Sequence, residues 1–340
     1  MNIRSNCKYA VACVTSMGVR ITPEDRMSVH ESNRFFMQAT SAETNVLNVS
    51  SSLGLPCIAL TRFVKDSPIA WFIKGELRKR NINFEGPDVE QGGPWGYRHQ
   101  FNIADAGFGL RAPRVWNDRA GEVGRDMDSS DYDLDRIFGE EGVQILHISG
   151  LIASMSSNTT KACLEIARKA KQYGTLISFD YNYRKSFWEG REEELTAAFD
   201  EIMGLSDILL GLGGPVPDIE EFKKIILEQK EKYPQAVVYS ATIRKVVDAN
   251  EHLWGAVVWA DGNWYVEEPR PMQVLDRIGG GDGYSGGILY AIASGKKPEE
   301  WIKYGWAAGA LAVSTFNDYA SPIDEAELIS VYEGNAVIKR

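Results

Sequence analysis

From about Val143 onward the apolar residues switch between two rhythms. Val143-Gln144-Ile145-Leu146-His147-Ile148 is a short β-rich run, whereas Thr159 to Tyr173 places Ala162, Leu164, Ile166, Ala167 and Ala170 at helical spacing. The alternation then repeats. Leu176 to Asp180 reads as strand and Glu192 to Met203 as helix; Asp207 to Leu210 is strand, Ile219 to Lys230 helix, and Ala236 to Tyr239 strand. Strands and helices alternating at this spacing predict a parallel sheet covered by helices on both faces. Tyr9 to Val14 reads as a first buried strand rather than the apolar core of a signal segment. Ala42 to Ser52 reads as a helix, and beyond residue 280 the chain turns almost wholly helical, over Gly283 to Ala293, Glu299 to Thr315 and Glu325 to Glu333.

Two segments break the rhythm. Met17 to Met37 and Trp95 to Glu122 are polar, aromatic-rich and partly alternating, without a helical period. Arg98 to Ile103 and Pro113 to Asn117 read as strands of a small antiparallel sheet. Such an insert, formed by about residues 15–40 and 95–122, is expected to be a lid over a site in an otherwise single α/β domain; a surface hairpin without function is the other reading.

The balance of charge narrows the partners. Thirty-seven basic against 47 acidic residues give a net charge of −10 over 340 residues, and Lys and Arg are scattered. That argues against a nucleic-acid or anionic-membrane surface. No apolar run approaches the roughly 18 residues that span a bilayer. Cys7, Cys13, Cys57 and Cys163 are far apart in sequence, with no CxxC spacing. The last three sit in apolar stretches and read as buried thiols, so a reducing, cytoplasmic setting is expected.

The candidate chemistry lies in Asp276-Arg277-Ile278-Gly279-Gly280-Gly281-Asp282-Gly283-Tyr284-Ser285-Gly286-Gly287. Residues 281–286 fit a GxGxxG fingerprint, but that motif belongs to a first βαβ unit, and here no strand is read after it. Residues 283–287 fit GxSxG, but a hydrolase of that kind needs a histidine after the serine, and His252 is the last of the four. The remaining reading is an anion cradle with a base. Glycines 279–281 let successive N–H groups converge on a phosphate at a helix start, and Asp282 would stand beside it to take a proton from an attacking hydroxyl. Taken alone, the triplet favours a plain glycine-rich loop with Asp282 as helix N-cap.

The resemblance is wider than this turn. Asp276 to Asp282 resembles the DTxGAGD signature of ribokinase-like (PfkB family) sugar kinases. Phe179-Asp180-Tyr181-Asn182-Tyr183-Arg184 with Trp188, Thr242-Ile243-Arg244 followed by Trp254, Asp118-Arg119-Ala120-Gly121 and the closing Ile338-Lys339-Arg340 are similar to the 2-keto-3-deoxygluconate kinase branch. The matches are colinear over nearly the whole chain. The family implies a ribokinase-like parallel-sheet core flanked by helices, a small antiparallel β lid, and transfer of the γ-phosphate of ATP with Mg²⁺ to a sugar hydroxyl. It makes Asp282 the base and Gly279, Gly280 and Gly281 the anion hole. Arg184 would hold a sugar-acid carboxylate, for which a bidentate guanidinium is suited, unless it is only a surface arginine. Arg119 is a second sugar-side candidate, with a salt-bridging lid residue as the alternative. Thr242 and Arg244 fall where the family contacts nucleotide phosphates, or act as loop caps. The resemblance also implies a monovalent cation, K⁺, at Asp276, and a homodimer formed through the lids; no side chain is assigned as a metal ligand.

The departures lie at the sugar and metal corners. The family's Gly-Gly before Ala-Glu-x-Asn is here Thr40-Ser41 before Ala42-Glu43-Thr44-Asn45, and Asn45 keeps its place on the sugar side. Its Asn-x-x-Glu is Leu212-Gly213-Gly214-Pro215, its Gly-Glu after the first strand is Thr15-Ser16, and a lid tyrosine is Asn102. Two functions follow: a kinase of altered sugar specificity, favoured by the retained Asp282, or an impaired paralogue that binds a ligand without efficient turnover.

Overall fold

A strand buried along its whole length needs partners on both edges and cover on both faces. The computed structural model describes residues 1–212 and 218–337. Its strands are β1 (Tyr9–Val14), β2 (Gly18–Pro23), β3 (Phe35–Thr40), β4 (Cys57–Leu60), β5 (Phe63–Val64), β6 (Ile82–Glu85), β7 (Asp88–Val89), β8 (Gln100–Asp105), β9 (Arg114–Asp118), β10 (Val143–Ser149), β11 (Leu176–Asp180), β12 (Ile208–Leu210), β13 (Val238–Val246), β14 (Glu251–Ala260) and β15 (Asn263–Gln273). The α-helices are α1 (Ala42–Ser52), α2 (Pro68–Lys79), α3 (Gly150–Ser154), α4 (Ser157–Gln172), α5 (Lys185–Trp188), α6 (Glu192–Leu205), α7 (Ile219–Lys232), α8 (Gly280–Ala293), α9 (Pro298–Val313) and α10 (Glu325–Tyr332).

The main sheet has the order β15-β14-β13-β12-β11-β10-β1-β4-β6. Pairings from β6 to β13 are parallel, and the last two are antiparallel. Two apolar layers cover it, one carrying α1, α2, α8 and α9 and the other α4, α6 and α7. Most sequence expectations fall within two residues of the observed elements. Two do not. The stretch after Tyr239 continues as strand to Val246 and is followed by the long β14 and β15, which were not anticipated. The cue was the pair Asp261-Gly262, both at positive φ (49° and 78°), a two-residue hairpin turn. Helix α8 begins at Gly280 rather than Gly283, so Asp282 sits inside its first turn.

The polar inserts build a second sheet, β3-β2-β8-β9. Each insert contributes one antiparallel pair, and the two pairs join side by side through a parallel β2–β8 seam. Cys13, Cys57 and Cys163 are buried free thiols. No helix among the described residues is long and apolar enough to cross a membrane.

Helix α8 fits closely between α1 and α9 because its contact residues lack side chains. A Cβ on Gly286 would lie 2.6 Å from the Val46 carbonyl oxygen, and one on Gly287 2.3 Å from that of Tyr304. This explains the glycines that mimic a hydrolase elbow: Ser285 is 3% exposed, turned inward and bonded to Asp180. The same approach brings the first turns of α1 and α8 together.

Candidate active site

In parallel α/β sheets the strands' carboxyl ends open into a crevice. Here Ser16, Leu151, Asp180, Leu212 and Thr242, at or just beyond the ends of β1, β10, β11 and β12 and on β13, line a cleft of about 1350 Å³. The N-termini of α1 and α8 reach the same cleft, and Gln100, Asn102 and Asn117 of the second sheet, with Arg119 just past the end of β9, form part of its wall.

Asp282 is the third residue of α8, with Gly279 as its N-cap and no side chain capping the helix. The N-cap reading of Asp282 is therefore excluded. Its Oδ2 accepts a hydrogen bond from Asn45 Nδ2 at 2.9 Å. Burial pushes its pKa up to about 8; the Asn45 bond and the Arg184 charge oppose this, while the Asp180 and Glu43 carboxylates add to it. The side chain keeps part of its surface open to the cleft, so it can meet a ligand. A carboxyl poised near neutral pH suits a general base.

The three glycines preceding it serve different ends. Gly279 has φ of +83°, and a Cβ there would lie 1.8 Å from the Asp318 carbonyl oxygen. A Cβ on Gly280 would lie 2.8 Å from Val313 Cγ1, whereas one on Gly281 would meet nothing within 4 Å. Gly281 is exposed and lines the cleft. An uncapped helix start facing a cleft is a ready site for an anion.

Two further carboxylates, singled out by no sequence reading, stand close by. Asp180 accepts from Ser285 Oγ at 2.9 Å and from the Asn182 N–H at 3.1 Å; burial raises its pKa and these bonds oppose the rise. Glu43, 1% exposed, accepts from Thr15 Oγ1 at 2.7 Å and from Ser149 Oγ. Burial also raises its pKa, against these two bonds. The signal for Asp180 was its place at the end of a predicted parallel strand.

The sugar-side candidates divide. Arg184 is exposed at the cleft rim, its Nη1 donating to the Tyr183 carbonyl at 3.2 Å. Its loop leans on an aromatic ladder, Tyr183 to Trp188 at 5.3 Å and Trp188 to Phe199 at 4.9 Å between centroids. Arg119 is engaged instead: Nη1 donates to both Glu122 oxygens at 3.0 Å, and the guanidinium lies 5.5 Å from the Phe187 ring centroid. Thr40 and Ser41 line the cleft but are committed locally. Thr40 Oγ1 donates to Asp318 Oδ2 at 2.7 Å, and Ser41 Oγ caps α1 by accepting from the Thr44 N–H at 3.1 Å. Four amide oxygens in this region, of Asn45, Asn182, Asn102 and Gln100, are buried without a partner among the described residues, and all four residues line the cleft.

A family model for pfkB family carbohydrate kinases matches residues 139–325, more than half of the chain. The chain belongs to the pfkB family. It is 29% identical over 202 residues to 5-dehydro-2-deoxygluconokinase of Clostridium perfringens, covering 58% of this chain and 56% of that relative's length. The crystal structure of a PfkB family carbohydrate kinase from Listeria grayi superposes with a TM-score of 0.84 at 26% identity, covering 95% of this chain and 99% of that one. 2-Dehydro-3-deoxygluconokinase from Thermotoga maritima shares the fold, with a TM-score of 0.84 at 22% identity over 96% and 98% of the two chains.

The other end of this pfkB cleft is cationic. Thr242 and Arg244 lie on β13 and line the cleft together with Arg277. Burial and then the Arg277 charge push the Arg244 pKa down to about 10. Arg277 was legible only as part of the turn that precedes the glycines. Leu212 is 3% exposed and packed in the core; Gly213, Gly214 and Pro215, like Ile338 to Arg340, lie outside the described residues. No group of three or more His, Cys, Asp or Glu converges as a metal cage among the described residues. The carboxylate of Asp276 is paired with the Arg20 guanidinium.

Proposed function

We propose that this pfkB chain transfers the γ-phosphate of ATP to a hydroxyl of a sugar acid, with Asp282 as the general base. The observation that carries the reading is that a base and an anion cradle share the first turn of α8, inside one cleft. The hydroxyl oxygen attacks the γ-phosphorus, its proton passes to Asp282, and ADP leaves. The free N–H groups at the helix start face the charge that the transferring phosphoryl group spreads over its oxygens. Thr242, Arg244 and Arg277 stand where the rest of the polyphosphate would lie. Mg²⁺ fits as an ion carried by the nucleotide: the described residues offer carboxylates but no cage, and Asp180 faces the cleft beside Asp282. When bound, the ion would neutralise phosphate charge, with Asp180 the residue on hand to hold its hydration shell.

A hydroxyl-rich acceptor suits the unpartnered amides of Asn45, Asn182, Asn102 and Gln100, since each buried orphan acceptor favours a ligand that brings a donor. A carboxylate on that acceptor suits Arg184, and two of the three proteins named above, the 5-dehydro-2-deoxygluconokinase and the 2-dehydro-3-deoxygluconokinase, are sugar-acid kinases by name. The second sheet, which supplies Gln100 and Asn102, is the lid of this single domain in the same reading. Release of ADP from ATP and Mg²⁺ across a panel of sugar acids, ketoses and nucleosides tests the proposal. Turnover of a sugar acid supports it. Turnover of none favours the alternative, a paralogue that binds without efficient transfer, for which the buried Leu212 in the metal corner is the supporting observation.

Arg184→Lys is expected to raise KM for the sugar acid while leaving KM for ATP near its original value. Lysine keeps the charge but loses one of two parallel bonds, a loss of roughly 10- to 150-fold in binding for a charge-assisted bond. An unchanged sugar KM would place the carboxylate elsewhere or remove it from the substrate. The pH profile offers a second test. Because Asp282 must be ionised to act and its pKa stands at about 8, kcat/KM should rise as pH passes through that value. Arg184 holds this pKa down, so Arg184→Ala should move the rising limb to higher pH.

A further inference from the structure

Arg20 lies on β2 of the lid sheet and is 1% exposed. Its Nη1 donates to Asp318 and its Nη2 to Asp276, both buried. Asp276 opens the glycine turn, and its Oδ1 also accepts the Ile278 N–H at 3.1 Å. Asp318 follows α9, and its backbone oxygen occupies the space that a Gly279 side chain would need. The two acids thus bracket Gly279, and one guanidinium joins them. The other side-chain donors to Asp318 also come from the lid: Thr40 Oγ1 at 2.7 Å and Gln38 Nε2 at 3.3 Å, both on β3.

This arrangement does not fit the potassium ion that the family resemblance implies at Asp276. One oxygen of Asp276 is held by Arg20 and the other by a backbone N–H, so a cation bound there would share the carboxylate with the guanidinium and face its like charge at close range. We propose that Arg20 is a positioning residue that serves as a built-in cation between Asp276 and Asp318. It holds the glycine turn in its anion-binding shape and makes nucleotide binding and phosphoryl transfer independent of potassium. The inference rests on the kinase reading above. It also ties the lid to the cradle, since Arg20 and its supporting donors all belong to the lid sheet.

Calorimetric titration of the wild-type protein with MgATP, in potassium chloride and in choline chloride at equal ionic strength, tests this before any acceptor sugar is known. The expected result is the same affinity in both salts, and the same kcat once an acceptor is found. Tighter binding or faster turnover in potassium alone overturns the proposal and leaves the kinase reading standing. Absence of MgATP binding in either salt overturns the kinase reading and the proposal with it. Arg20→Ala is expected to lose roughly 10²-fold in kcat, the scale of a slightly misplaced reacting group, with KM for the sugar little changed. Millimolar guanidinium should restore part of that loss, which a general loss of structure would not allow. Wild-type kcat in folded Arg20→Ala, or no restoration by guanidinium, refutes the assignment. If the alanine variant does not fold, Arg20→Lys takes its place: it retains a cation but only one attachment point, and kcat equal to wild type would refute the role of the bridging guanidinium.

Discussion

Asp282→Asn is expected to lower kcat by roughly 10²- to 10⁴-fold, the usual cost of removing a general base, and at the same time to make the protein more stable. The stability gain follows from linkage. In the unfolded chain the carboxyl ionises near its ordinary value of 3.8, and in the folded protein at about 8. Between those values the folded state holds a proton that the unfolded state has released, so stability declines as pH rises through this window. Below about pH 4 both states are protonated and the group costs nothing. Above about pH 8 the full cost of a buried charge is present. Asparagine never ionises, so its advantage should grow from acid to mildly alkaline pH and then level off. Each tenfold in proton affinity is about 1.4 kcal/mol, and water in the open cleft reduces the total to roughly 1–3 kcal/mol. Thermal unfolding of both proteins across this pH range reads the effect. Activity above about a tenth of wild type would contradict the base assignment; a stability difference that does not change with pH would contradict the burial of the charge.

The legible parts of this chain are those where a local rule and the fold agree. β11 falls on its expected residues because Leu176 to Asp180 is a short apolar run between helices of clear period. Helix α8 starts earlier than its pattern suggests, since glycines have the poorest propensity of ordinary residues, and Gly280 at its start is set against Val313 of α9 and Trp254. Asp282 was legible because its motif is continuous. Its hydrogen-bond partner was not, since Asn45 lies 237 residues away in sequence and meets it only where α1 and α8 cross. Arg20 was the least legible. A charged residue in a short alternating strand reads as a solvent-facing position, yet both faces of β2 are covered here. Its two acids are 256 and 298 residues distant. Local pattern therefore points to the proposed base and cradle, while the groups that hold them in place emerge only from tertiary contacts.

The glycine turn gives the second large effect, because its glycines should separate into a structural and a functional class. Gly279→Ala is expected to destabilise the protein by roughly 2–5 kcal/mol, combining a strained left-handed residue with overlap that its neighbours must relieve. The atom in the way is the Asp318 backbone oxygen, 1.8 Å from the new Cβ, and backbone held by Arg20, Gln38 and Thr40 cannot swing aside as a flexible side chain would. Gly281→Ala should behave in the opposite way. Its φ is ordinary and nothing lies within 4 Å, so alanine at the second position of α8 should leave stability equal or raise it by up to about 1 kcal/mol through helix propensity. The methyl group would nevertheless stand in the cleft where a phosphate must approach the backbone closely. Turnover is then expected to fall roughly 10- to 100-fold, the scale of a reacting group pushed out of line. Denaturant unfolding of the two variants, paired with single-turnover measurements, separates the classes. A stable Gly281→Ala protein with wild-type turnover would show that the phosphate does not bind at this helix start. Asp282 would then remain a base without the cradle beside it.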